Sequence, residues 1–136
     1  MTFTVPGEPV AKGRPRFARI GPHVRTFTPA KTQRYEDTVR LMAQSAGVPL
    51  LDGPVRVTIE AVWPMKGTPL KKGSRPSVPK ITKPDADNVA KCICDALNGI
   101  AWHDDGQVVA LLVRKRYAAQ GEAARTVVNV KQWEEP

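Results

Sequence analysis

Apolar and polar positions alternate most strictly in PVRVTIEAVWP, residues 54–64. Val55, Val57, Ile59 and Ala61 fall on one side, opposite Arg56, Thr58, Glu60 and Val62, which predicts a strand ended by Pro64. QVVALLVRKRY (107–117) and RTVVNVKQW (125–133) predict two more strands, and AAQGEAA between them has the length of a hairpin loop. TFTV (2–5) is a short β-branched strand that Pro6 limits. Two segments follow a helical spacing instead. TPAKTQRYEDTVRLMAQSAG sets Tyr35, Val39, Met42 and Ala46 at three- and four-residue steps, with Thr32 as N-cap and Gly47 closing the helix. ADNVAKCICDALNG sets Val89, Ile93, Ala96 and Leu97 on one stripe, with Gly99 past its end.

Residues 6–31 carry Pro, Gly and basic side chains without sustained periodicity and are expected to form a long loop. Residues 65–84, MKGTPLKKGSRPSVPKITKP, are dense in Lys and Arg and hold four prolines, which predicts a flexible basic loop that orders on binding a ligand. The order β-α-β-α-β-β describes a small α/β (α+β) layer: one mixed sheet of about four strands with two helices packed on it. At 136 residues, 1–136 reads as one domain.

Composition changes the picture in three places. No run of about 18 apolar residues exists, so no membrane span is expected, and the N-terminus lacks a secretory pattern, which makes the cytoplasm the expected location. Cys92 and Cys94 point about 200° apart on their helix and cannot pair with each other. His23 and His103 are isolated, so a zinc site lacks its ligands and reduced thiols are expected. Charge is the third. Residues 1–84 hold 15 Lys and Arg against 5 Asp and Glu, whereas 85–136 hold 6 against 8. A basic body with a local acidic spot fits a protein that binds a polyanion, nucleic acid first among them, and acts on it.

Five of the 13 acidic residues fall within 85–105: Asp85, Asp87, Asp95, Asp104 and Asp105. Two readings are open. Asp is favoured at helix starts and DDG at turns, so each segment has a structural explanation. Alternatively, the link GIAWHDDGQ brings Asp104 and Asp105 back beside Asp85 and Asp87. Converging carboxylates repel unless a divalent cation sits among them, and oxygen ligands favour Mg²⁺ or Mn²⁺. Lys91, at i+4 from Asp87, either forms a surface ion pair or stabilises charge developing on a phosphate. Asp95, one turn further, reads as a structural or solvated carboxylate.

DADNVAKCICDALNGIAWHDDGQV, with Asp-x-Asp-Asn, a Lys four residues after the second Asp, DAL and a later W-x-DD-x-QV, resembles the RusA family of Holliday-junction resolvases. GEPVAKGRPRF and TFTPAKTQRYE resemble its phage and prophage branch. The resemblance implies a homodimeric, Mg²⁺-dependent endodeoxyribonuclease, with Mn²⁺ as a possible substitute, that resolves four-way DNA junctions by paired cleavage in recombination and repair. It implies Asp85, Asp87 and Asp105 as essential carboxylates, Lys91 as the catalytic lysine and Asp104 as a neighbouring metal-site acid. A nuclease for other branched DNA and a non-catalytic DNA-binding protein are the alternatives.

Lys12, Arg14 and Arg16, with Lys71, Lys72, Arg75, Lys80 and Lys83 of the central loop, are the candidate phosphate contacts. Phe17 is read as a core anchor or a wedge between bases. Trp63, Trp102 and Trp133 read as packing residues, and Trp102 is placed to position the acidic pair beside it. His103 has at most a supporting role.

Overall fold

The computed structural model describes residues 1–13 and 16–135. In chain order the elements are β1 (Thr2–Pro6), β2 (Arg16–Ile20), β3 (His23–Phe27), α1 (Ala30–Ser45), β4 (Val55–Trp63), β5 (Val78–Pro79), α2 (Ala86–Leu97), a 3-10 turn (Asp105–Gln107), β6 (Val108–Tyr117) and β7 (Arg125–Gln132). The α+β class expected from the sequence is what forms, with a mixed sheet of five strands in the order β1-β7-β4-β6-β5.

The strict alternation of β4 suits it to the middle of that sheet. It runs parallel to β6 and antiparallel to β7, which sets Ile59 between Val113 and Val128. Val55, Val57, Ile59 and Ala61 have no exposed surface. They pack with Phe3 and Val5 of β1, with Tyr35, Val39 and Ala43 of α1, and with Val89, Ile93, Ala96 and Leu97 of α2. Each large side chain buried this way contributes roughly 1.5–3 kcal/mol. Both helices therefore cover one face of the sheet, and the face carrying Arg56, Thr58 and Glu60 has no helix on it. Tyr35 fastens α1 to β7 through a buried hydroxyl–hydroxyl bond to Thr126 of 2.7 Å. Burial pushes its phenol up to about 12.

Several expectations are corrected. The link 118–124 is not a hairpin loop, because β4 lies between β6 and β7 and the link crosses over the end of it. That span is about 10 Å, two strand spacings, well within its reach. Residues 6–31 are not all loop, since β2 and β3 pair as an antiparallel hairpin in which Arg16 faces Phe27 and Ile20 faces His23. Helix α1 starts three residues early, behind Pro29, whose missing N–H costs nothing at a helix start. Thr32 is buried instead of capping, and its Oγ1 accepts from the Gly13 N–H at 3.3 Å.

The basic loop 65–84 makes hydrogen bonds to β6 and to the crossover that follows it. Gln120 Oε1 accepts from the Leu70 and Arg75 N–H groups at 3.0 and 3.1 Å. Lys115 Nζ donates to Thr82 O and Pro84 O at 2.8 and 2.6 Å. Those last two bonds fix the chain where it enters α2. No helix among the described residues is long and apolar enough to cross a membrane.

Candidate active site

The N-cap of helix α2 is Asp85, whose backbone carbonyl accepts from the Asn88 and Val89 N–H groups at 3.1 and 3.2 Å. Its carboxylate makes no capping bond and is exposed, so helix capping does not account for it. Asp87 lies in the first turn and accepts from the Asn88 N–H at 3.0 Å. Asp87, Ala90, Lys91 and Cys94 recur at three- and four-residue steps and form one wall of an open cavity of about 400 Å³. Asp105 and residues 108–111, at the start of β6, form the facing wall.

Asp105 reaches that cavity because the link from α2 is tightly folded. Gly99 takes φ +82°, which a side chain would strain, and its N–H donates to Trp102 O at 2.7 Å. Trp102 has no exposed surface, and its Nε1–H donates to Asp105 Oδ1 at 2.8 Å. Gln107 fixes the same turn with four bonds. Its Oε1 accepts from the His103 and Asp104 N–H groups at 2.7 and 3.0 Å, and its Nε2 donates to Leu51 O and Gly53 O at 3.0 and 2.9 Å.

The remaining candidates lie elsewhere. Asp104 caps the 3-10 turn, with Oδ2 accepting from the Gly106 N–H at 2.8 Å, so its structural explanation holds. Asp85 lines a different cavity, with Lys12 and Lys83. Among the described residues no three His, Cys, Asp or Glu side chains gather as a metal-holding group. Of the three or four carboxylates expected to converge, two, Asp87 and Asp105, line one cavity. The head of α2 turns Asp85 to another side, and the turn takes up Asp104.

That pair still fits a hard divalent cation. Mg²⁺ is commonly held by one or two carboxylates, with phosphate and water oxygens completing its shell, and the cavity here is open. Cys94 lines the same cavity, and burial first, and Asp105 second, push its thiol up to about 12.

Lys91 pairs with Asp95 at 3.5 Å and not with Asp87. Asp95 also meets Lys12 at 3.0 Å, and Lys12 meets the buried Glu36 of α1 at 2.8 Å. Burial draws the Lys12 ammonium down, but its bonds to Glu36 and Asp95 outweigh this and raise it. Lys12 is therefore engaged inside the fold, in place of the phosphate contact expected of it. Lys71, Lys72 and Lys83 are exposed, and Arg75 and Lys80 are half-buried. Arg14 and the side chains of Arg16 and Phe17 lie outside the described residues. His103 bonds the exposed Asp52 at 2.8 Å. Sequence reading missed Gln107, Glu36, Lys115 and Tyr117. Only Gln107 left a trace, as the Gln of W-x-DD-x-Q.

The sequence family described as Endodeoxyribonuclease RusA matches residues 6–131. The chain belongs to the RusA family. It is also 38% identical, over 125 residues, to the uncharacterised protein YqaN of Bacillus subtilis (strain 168), covering 87% of this chain and 88% of that protein. RusA membership carries endodeoxyribonuclease activity on branched DNA and, in general, dependence on a divalent metal.

Proposed function

We propose that this RusA-family chain cuts four-way DNA junctions by Mg²⁺-dependent phosphodiester hydrolysis, in recombination or repair. The observation that carries the reading is the cavity where Asp87 and Lys91 of α2 face Asp105 of the 3-10 turn. Asp87 and Asp105 would hold the ion, with phosphate and water oxygens completing its shell. When bound, such an ion supplies activation of water and neutralisation of phosphate charge.

The protein's own groups then have definite tasks. Trp102 directs the Asp105 carboxylate toward the cavity. Lys91 presents an ammonium to charge building on the phosphate, where a fixed positive group lowers the barrier. Exposed Lys71, Lys72 and Lys83 draw in the DNA backbone. A two-fold junction is cut on both sides most simply by a C2 homodimer carrying two such cavities.

Asp87→Asn tests the assignment, with junction binding measured in Ca²⁺ and cutting in Mg²⁺. Binding is expected to persist while cutting falls by about 100-fold or more, the scale for loss of an electrostatic group in an active site. Cutting near the wild-type rate would refute it.

A further inference from the structure

Strand β6 borders an open cavity at each of two places on its helix-facing side. Leu111 borders the cavity of Asp87 and Lys91. Tyr117, six residues on, faces the same side roughly 20 Å along the strand. A second open cavity, of about 490 Å³, lies there and is lined by Lys66, Arg75 and Tyr117.

Lys66 and Arg75 line that cavity, and Lys80 stands beside the same ring, its Nζ donating to Thr82 Oγ1 at 2.9 Å and to the Tyr117 hydroxyl at 3.3 Å. The Lys66 and Lys80 ammonium groups stand 5.6 and 4.8 Å from the centre of the Tyr117 ring, and Lys80 stands 5.3 Å from that of Trp63. Arg75 Nε donates to Thr68 O, which holds its guanidinium against Gly67. A Cβ at position 67 would lie 3.4 Å from the guanidinium carbon, and φ there is +91°, so the turn that seats Arg75 favours glycine.

Lys12, Arg40, Arg116 and Arg125 each meet a carboxylate. Among the described residues Lys66, Arg75 and Lys80 meet none within ion-pair distance. Three like charges gathered without a counter-charge repel, and contact with aromatic faces offsets only about 0.5–1 kcal/mol each at exposed sites. With both ammonium groups over Tyr117, the ring is not a free platform for a stacked base. An anion is what the arrangement lacks.

We propose that Lys66, Arg75 and Lys80, arranged around Tyr117, bind a backbone phosphate of DNA well away from the bond that is cut. The proposal rests on the reading of the chain as a DNA nuclease and adds a second anchoring point to it. Roughly 20 Å corresponds to about six steps along a strand at 3.4 Å each. The anchor therefore engages DNA several nucleotides from the cleaved phosphate, or on another arm of the junction.

Lys66→Ala is the direct test, because Lys66 is exposed and its side chain makes no hydrogen bond among the described residues. Lys131→Ala, on the helix-free sheet face, removes the same charge elsewhere. Four-way junction affinity is measured for both across a salt series, with Ca²⁺ replacing Mg²⁺. Lys66→Ala should weaken binding by about 3–10-fold and reduce the salt slope by about one, while Lys131→Ala changes neither. An unchanged Lys66→Ala, or an equal loss in both variants, overturns the phosphate site. Wild-type protein that binds the junction but fails to cut it in Mg²⁺ sinks the nuclease reading instead, and the slope difference still decides the phosphate site.

Discussion

The indole N–H of Trp102 donates to Oδ1 of Asp105 at 2.8 Å, from a ring with no exposed surface. A buried donor fixed by packing holds one carboxylate oxygen and leaves the other for the cavity. Trp102→Phe keeps an aromatic ring but removes the donor. A hydrogen bond to a charged group is worth about 1.5–3 kcal/mol, which corresponds to roughly tenfold or more in rate. Single-turnover cutting at saturating junction should slow by at least that factor with affinity unchanged. Equal rates would mean that the turn alone orients Asp105.

Lys91 is reached from the protein interior by a line of alternating charges: Glu36, Lys12, Asp95, Lys91. Glu36 is 3% exposed, so this line ties the exposed ammonium to the first helix. Lys91→Met should reduce cutting by about 100- to 1,000-fold. Asp95→Asn, which leaves the ammonium present but less constrained, should cost less. A loss in Asp95→Asn as large as in Lys91→Met contradicts this ordering.

Acid should loosen the crossover at the end of β4. Glu122 accepts from Arg116 at 2.6 Å through each oxygen, and from the Ala119 N–H at 2.8 Å. Arg116 first, and the Ala119 amide second, hold its carboxyl well below the usual range. A lowered folded-state pKa gives stability that is complete above the unfolded value of about 4.3 and is lost as pH falls toward the folded one. Glu122→Gln should therefore melt lower than wild type at pH 7, and the gap should narrow from pH 4 to pH 2. Thermal melts across that range check it, and a constant gap rules it out.

Ile59 lies at the centre of the core with no exposed surface. Ile59→Ala removes buried volume that neighbours on three sides cannot easily fill, so urea unfolding should show a loss of about 2–5 kcal/mol. A smaller loss would show that α2 can settle onto the sheet.

Local pattern carried much of this fold in the sequence. The alternation of β4 and the stripe of α2 are visible because one face of each is buried against many partners. The β2–β3 hairpin is hidden, since RFARI and HVRTF mix basic and apolar residues without a regular period. Sheet order is hidden as well, because whether β7 pairs with β6 or β4 depends on contacts remote in sequence. In the site, Asp87, Lys91 and Asp105 could be read because they fall in one dense motif. Lys12 resembles any basic loop residue until Glu36 and Asp95 are seen around it. Asp104 resembles Asp105 until its carboxylate is found closing the turn.

Strand β4 separates β6 from β7, and β7 also pairs with β1. The early strands therefore wait for residues 125–132 before their edges are covered. During synthesis the emerging chain presents bare strand edges until β7 leaves the ribosome. Such edges invite pairing between molecules, and contacts so distant along the chain form slowly. A molecule shortened just before β7 would lose the wall on which both helix-bearing halves of the sheet close, and aggregation is its expected fate.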